Sequence, residues 1–134
     1  MLPKSRKDKD SGFTRSRRKL LEGRTLGIYP EGTVNRNPKL LLRGYTGAAR
    51  LSLVTGAPIV AAGIRFPGHP LDQPIPDGAR FTIDIGAPIY PSKVNEIDID
   101  AEMVRDWHHC IMRELSRLSH KEFQPQSTRR KLCP

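Results

Sequence analysis

Apolar residues in the middle of the chain fall into short runs that predict alternating strands and helices. Residues 25–29 form a brief apolar run typical of a buried strand, and residues 44–55 are rich in apolar side chains and predict a helix. Residues 57–64 are apolar on both faces, as a central parallel strand must be. The order strand, helix, strand predicts a βαβ crossover, with Gly56 as the C-terminal cap of its helix.

The following residues predict a loop, an edge strand and a closing helix. Residues 66–78 hold four prolines and two glycines among thirteen positions, too many for a regular element. Residues 80–86 alternate between apolar and polar, as in a strand near a sheet edge. Residues 101–119 repeat apolar side chains at spacings of three and four behind a capping Asp100, which predicts a helix that packs on the sheet through one stripe. That stripe consists of Val104, Trp107, Ile111, Leu115 and Leu118.

These elements predict an α/β fold, with a partial, mixed and mainly parallel sheet, flanking helices and basic disordered tails. A length of 134 residues with 37% hydrophobic content fits a single domain with a modest core, which we place at residues 20–120. Residues 1–19 show no sustained period and are expected to be a disordered basic tail, and residues 121–134 a second basic tail. Gly23 is expected to be the left-handed cap of a helix that ends at residues 20–22.

Charge separates the predicted tails from the predicted domain. Residues 1–24 carry nine Lys and Arg against three acidic residues, and residues 121–134 carry four against one. Residues 25–120 carry ten of each, so the net charge of +9 belongs to the ends of the chain. Basic tails attract polyanions, whether an anionic lipid surface or a nucleic acid, and charge alone does not choose between them.

The apolar runs and the cysteines indicate a cellular location. The first 24 residues lack the apolar core of a signal peptide, and the longest apolar run, residues 57–64, is too short to span a bilayer. We expect a cytoplasmic protein, or one that is peripheral at the membrane. Cys110 and Cys133 form neither a repeated metal-ligand spacing nor a disulfide framework, so we expect a reducing compartment and no metal site.

The segment Tyr29-Pro30-Glu31-Gly32-Thr33 follows the first predicted strand. Ligands of α/β sheets bind beyond the ends of strands, so this segment predicts part of a binding crevice. It resembles the third sequence block of the glycerolipid acyltransferases, which acylate glycerol 3-phosphate and lysophosphatidic acid. Four stretches are similar to that family in the family's own order: residues 21–33 with the third block, residues 43–51 with the helix entry after it, residues 55–60 with the fourth block, and residues 86–89 with a later turn.

The resemblance implies acyl transfer from a thioester, on coenzyme A or an acyl carrier protein, to a glycerol phosphate acceptor in phospholipid biosynthesis, with no other cofactor. In that family the general base is the His of a His-x4-Asp block well upstream of the third block. In this sequence no histidine precedes Tyr29; the four present are His69, His108, His109 and His120. The resemblance therefore implies the C-terminal part of an acyltransferase domain, a truncated copy without catalytic residues that is not competent alone.

The resemblance implies that the matching residues belong to the half of the site that holds the acceptor. The phosphate of that acceptor needs cationic side chains and backbone N–H groups. Glu31, Gly32 and Thr33 match the family block and are the candidate substrate-binding residues. Val34 stands where the block has Arg, and Tyr45 where a Lys is frequent, so two expected cations are missing and either the acceptor lacks a phosphate monoester or this copy has drifted. Arg36 or Arg43 could substitute for these cations, although a structural or solvated role is the alternative for either. For Glu31 the alternative is a carboxylate that stabilises its loop, and Gly32 could be required only for a positive φ.

Two other classes of function compete with an enzyme. A non-catalytic module whose basic tails bind an anionic membrane surface is the main alternative. A nucleic-acid-binding protein is disfavoured, because the middle of the chain is neutral and has no aromatics interleaved with Lys and Arg. A sheet without its first strands would also expose an apolar edge and face, so we expect marginal folding or self-association through the sheet edge.

Overall fold

The computed structural model describes residues 6–125 and Cys133, with side chains described from Gly12 onward. Over these residues it contains α1 (Arg6–Leu21), α2 (Gly47–Thr55), β1 (Ala62–Arg65), β2 (Thr82–Ile85) and α3 (Ala101–Ser119). One turn of 3-10 helix, Glu96–Asp98, precedes α3. The fold is therefore small and mixed α/β, in agreement with the predicted class.

β1 and β2 pair as an antiparallel ribbon, so the prediction of a mainly parallel sheet is wrong. Ile64 lies opposite Ile83, and Ala62 lies opposite Ile85. Further along, Ile59 and Ile89 exchange main-chain hydrogen bonds of 2.8 and 2.9 Å, one residue out of step with this register, which indicates a β-bulge. Parallel neighbours need a crossover, usually a helix. Residues 66–78 form an irregular loop, as predicted, and β2 returns beside β1 in the opposite direction.

Residues 25–29 do not form the predicted strand, and the βαβ crossover is therefore wrong. Tyr29 is 86% exposed and Ile28 46% exposed, so the apolar side chains of this run lie largely in solvent. A strand also needs a neighbour that satisfies its backbone N–H and C=O groups. No described segment pairs with residues 25–29.

The predictions for α2 and α3 are confirmed. α2 begins at Gly47 and ends at Gly56, whose φ of 73° is left-handed and whose N–H donates to the Ser52 carbonyl. α3 covers Ala101–Ser119, and the Asp100 side chain caps it by accepting from the N–H of Met103 at 2.8 Å. Local sequence signals were sufficient for both helices.

The predicted disorder of residues 1–19 is wrong from Arg6 onward, because this segment forms α1; residues 1–5 lie outside the described part. α1 ends before Gly23, whose φ of 82° agrees with the predicted cap. Two contacts to distant residues hold the helix. The Arg50 guanidinium lies 4.6 Å from the centroid of the Phe13 ring, and Arg17 forms a two-pronged ion pair with Glu96. Tertiary contacts thus replace the apolar stripe that the segment lacks.

The core lies between α2 and α3. Its buried cluster consists of Ala49, Leu53, Trp107, Cys110 and Ile111. α3 is buried over more than the predicted stripe, since His108 and Met112 are also buried. Its other side meets the ribbon so closely that a Cβ on Gly63 would lie 2.5 Å from Leu118. α3 therefore separates α2 from the ribbon.

The segment after α3 is partly packed, so its first residues do not behave as a solvated tail. Lys121 is only 7% exposed, and Glu122 forms a parallel bridge with Leu40. Cys133 forms a disulfide with Cys110, contrary to the expectation of two reduced cysteines. Residues 126–132 and 134 of the predicted tail lie outside the described part. No helix among the described residues combines the length and apolar character needed to cross a membrane.

Candidate functional site

The site is built on two turns that interlock around Pro30. The N–H of Gly32 donates to the Tyr29 carbonyl at 3.0 Å, and the N–H of Tyr45 donates to the Pro30 carbonyl at 2.7 Å. Gly32 has a φ of 72°, and a Cβ there would lie 2.3 Å from the Tyr45 ring. The alternative for Gly32, a requirement for positive φ, is therefore met. The Tyr45 ring covers this turn.

Glu31 organises the loop that joins the two turns. Its Oε2 accepts a hydrogen bond from the N–H of Leu42 at 2.8 Å and another from Nδ2 of Asn35 at 2.7 Å. Nδ2 of Asn35 also donates to the Leu40 carbonyl at 2.8 Å. These contacts correspond to the loop-stabilising alternative for Glu31. They occupy one carboxylate oxygen, while Oε1 has no hydrogen-bond partner among the described residues.

Lys121 approaches Glu31 from the far end of the chain. The Leu41 N–H donates to the Glu122 carbonyl at 2.8 Å, and the Glu122 N–H donates to the Lys39 carbonyl at 2.7 Å. This pairing places Lys121 next to residues 39–41. The residue that follows them, Leu42, donates the hydrogen bond to Glu31. Burial lowers the pKa of Lys121, and the negative charge of Glu31 opposes that shift by raising it. The Glu31 carboxylate therefore acts electrostatically on the ammonium group, although the two form no ion pair among the described residues.

The sequence analysis missed Lys121 because it assigned residues 121–134 to a basic tail. No local signal distinguishes Lys121 from the lysines and arginines around it. Its burial depends on the pairing of Glu122 with residues 39–41, which are distant in sequence.

The other predicted site residues are distributed differently. Arg36 points to the proline-rich loop, where its guanidinium donates to the Ile75 carbonyl at 3.0 Å and pairs with Asp77 at 2.5 Å. Arg36 therefore has the structural role that was its alternative. Thr33 and Arg43 are both exposed, and the main-chain carbonyl of Arg43 faces α3. The structure thus places Glu31 and Gly32 at the interlocked turns, pairs the residue after Lys121 with the Glu31 loop, and directs Arg36 away from them.

A buried histidine supports the second turn from beneath. His108 is 5% exposed, and its Nε2 lies 2.8 Å from the Arg43 carbonyl. A Cβ on Gly44 would lie 2.7 Å from the Pro30 carbonyl oxygen and 3.2 Å from Cε1 of His108. The Nδ1 atom of His108 is buried without a hydrogen-bond partner among the described residues. His108 is therefore a support of the site and does not open onto it.

Two other kinds of site do not coincide with this one. Among the described residues there is no cluster of three His, Cys, Asp or Glu side chains that could hold a metal ion. An open depression lies beside β2, lined by residues 78–82 and Pro67, and it includes none of the predicted site residues.

Residues 2–65 match the family model described as Acyltransferase. The matched range contains both turns and the Glu31 loop, but not Lys121 or His108. Over this range, somewhat less than half of its length, the chain is similar to an acyltransferase family. Among curated proteins and among solved structures, no significant match is found.

Proposed function

We propose that the Glu31 turn and Lys121 form the acceptor-binding part of a glycerolipid acyltransferase site, with a glycerol phosphate as acceptor and acyl-CoA or acyl-ACP as donor. In this reaction the acceptor hydroxyl oxygen bonds to the thioester carbonyl carbon, the C–S bond breaks, and the thiol leaves with the hydroxyl's proton. The observation that carries the proposal is the burial of Lys121 where the chain after α3 pairs with residues 39–41 of the Glu31 loop, close enough for the charge of Glu31 to act on its ammonium group.

Lys121 offers a cation for a phosphate acceptor at a site that lacks two expected cations. Val34 and Tyr45 replace two expected cations, and Arg36 is engaged with Asp77. A partly desolvated ammonium group beside the turn supplies a positive charge in their place, and Oε1 of Glu31 offers an acceptor for a glycerol hydroxyl. A phosphate monoester on glycerol matches this pair of groups.

The chain is proposed to bind the acceptor without completing the transfer alone. A general base must take the hydroxyl proton, and His is suited to that role. Residues 1–30 contain no histidine, and the buried His108 uses Nε2 to hold the Arg43 carbonyl. A catalytic base from another segment or another protein is therefore part of the proposal.

Acceptor binding is tested by titrating sn-glycerol 3-phosphate into the purified chain and following amide chemical shifts, with glycerol and inorganic phosphate as reference ligands. Lys121→Met is expected to weaken binding about 10-fold or more, because a charge-assisted contact contributes about 1.5 to 3 kcal/mol. The matched control is Lys39→Met, which removes the same charge from an exposed lysine on the Glu31 loop and should change binding less than about 2-fold.

Equal weakening by the two lysine variants would show general electrostatic attraction and would contradict a site at Lys121. The catalytic part of the proposal is tested separately, by release of free thiol from acyl-CoA in the presence of glycerol 3-phosphate. The chain alone is expected to match a Glu31→Ala control. Turnover above that control would establish the acyl transfer and refute the need for an external base.

A further inference from the structure

The β1–β2 ribbon carries large apolar side chains on the face that points away from α3. Five of them are between 40% and 72% exposed: Val60, Ile64, Phe81, Ile83 and Ile85. We call this set the outer ribbon face. Monomeric proteins scatter such residues singly over their surfaces, and a contiguous set indicates an interaction site.

The register of the ribbon explains why these side chains share one face. Ile64 lies opposite Ile83 and Ala62 opposite Ile85, and directly opposed residues of an antiparallel pair project to the same side. The alternate positions project to the other side. There Gly63 contacts Leu118 of α3, and Arg65 pairs with Asp84. One face is therefore packed and partly polar, and the other is apolar and about half exposed.

The charge of the outer ribbon face sets it apart from the rest of the chain. None of its five members is charged, nor is Ala62 between them, whereas the protein carries a net charge of +9. The basic helix α1 contacts α2, and α3 lies between α2 and the ribbon. Two copies that meet through their outer ribbon faces therefore keep their basic helices remote from the contact, where repulsion between them is smallest.

We propose that the outer ribbon face binds a second copy of this chain, face to face, in a two-fold symmetric dimer. Such a face is self-complementary, as a two-fold interface requires. At these exposures, five large apolar side chains present about 500 Å² per copy, or about 1,000 Å² in the dimer, which is the lower limit for a specific interface. The interface is thus sufficient for a weak dimer. It does not depend on the proposed acyltransferase function.

Sedimentation velocity of the full chain at increasing concentration tests the dimer, with an expected Kd of about 1 to 100 μM. Ile83→Glu and Ile85→Glu are each expected to raise that Kd about 10-fold or more, because they place like charges at the centre of the contact. Ile97→Glu is the matched control, since Ile97 is 90% exposed in the turn before α3 and lies outside the ribbon. It should leave the Kd within about 2-fold of the unmodified chain.

Folding of each variant is checked by circular dichroism; Ile83 and Ile85 are more than half exposed, so little packing is lost. Ile83→Thr, which favours strands, is the second variant if a glutamate unfolds the ribbon, and it should weaken the dimer in the same direction. Added salt should strengthen the dimer by screening the repulsion between the +9 chains.

Three results would overturn the proposal. The first is a chain that stays monomeric at about 500 μM, far above the expected Kd. The second is a dimer that survives both glutamate variants, which would place the contact elsewhere, such as along the strand edges. The third is a monomer that binds anionic lipid vesicles and loses that binding on Ile85→Glu but not on Ile97→Glu, which would make a membrane the occupant of the outer ribbon face.

Discussion

Nε2 of His108, in the middle of α3, donates a hydrogen bond to the Arg43 main-chain carbonyl at 2.8 Å. A carbonyl can only accept, so Nε2 carries the proton. The bond joins α3 to the turn at residues 43–45. That turn also binds the Pro30 carbonyl, and it directly follows the Glu31 loop. The position of the candidate site therefore depends on a buried side chain that is not among the predicted site residues.

Replacing His108 is expected to loosen this turn. His108→Phe keeps a ring but removes the hydrogen bond to the Arg43 carbonyl, and it should lower the free energy of unfolding by about 1 to 3 kcal/mol, measured by urea denaturation. His108→Gln is the control, because its amide nitrogen extends about as far as Nε2 and can still donate. Equal losses for the two variants would show that ring packing, and not the hydrogen bond, is what matters at this position.

Gly44 is expected to tolerate no side chain, because two costs coincide there. Its φ is 75°, and a Cβ would lie 2.7 Å from the Pro30 carbonyl oxygen, a main-chain atom that cannot turn aside. Gly56 has a φ of 73° with nothing within 4 Å of a Cβ, so Gly56→Ala isolates the conformational cost, about 1 to 2 kcal/mol. Gly44→Ala should lose about 1 to 3 kcal/mol more in thermal or urea unfolding. Similar losses for the two variants would contradict the close packing of the turns.

Ser52 links the two core helices through the protein's single tryptophan. Nε1 of Trp107 donates to Oγ of Ser52 at 3.0 Å, and Oγ donates to the Ala57 carbonyl at 2.7 Å. Ser52→Ala removes both hydrogen bonds and leaves the buried Trp107 N–H without this partner, so the free energy of unfolding should fall by about 2 kcal/mol and the Trp107 fluorescence should change. Ser119→Ala is the control: the Ser119 hydroxyl is buried without a partner among the described residues, and its removal should be neutral or stabilising.

The parts of the fold that were predictable are those decided by neighbouring residues. The apolar repeat and Asp100 cap of α3, the left-handed Gly56 after α2 and the alternation of β2 all depend on local sequence, and all are present. Residues 25–29 show the limit of this reasoning. Apolar composition states that burial would be favourable, but a strand also requires a partner, and no described segment provides one.

The candidate site was predictable only on its own loop. Glu31 and Gly32 stand out by their resemblance to a family block, and both lie at the interlocked turns. Lys121 and His108 enter the site through contacts between residues distant in sequence, so composition and periodicity do not reveal them. Arg36 was a candidate for a phosphate contact, but its bonds to the Ile75 carbonyl and to Asp77 direct it to the proline-rich loop.

His109 is expected to make stability depend on pH. Burial, followed by the positive charges of His108 and Arg113, lowers the pKa of His109 below its ordinary value of 6.5, against the opposing effect of Asp106. The unfolded chain therefore binds a proton at a higher pH than the folded chain. Stability should be unaffected by His109 above its ordinary pKa and should fall as the pH drops below it. His109→Gln should flatten this part of the pH profile of the urea midpoint, and an unchanged slope would contradict the assignment.

The disulfide between Cys110 and Cys133 is expected to stabilise the fold in proportion to the freedom it removes from the unfolded chain. It closes a separation of 23 residues and ties the end of the chain to a core cysteine that is 8% exposed. Reduction should lower the free energy of unfolding by about 2 to 4 kcal/mol, measured by urea denaturation with and without dithiothreitol. Cys133→Ser should match the reduced protein under both conditions, which separates loss of the bridge from other effects of the reductant. Equal stability of the oxidised protein and Cys133→Ser would show that the bridge contributes nothing to the fold.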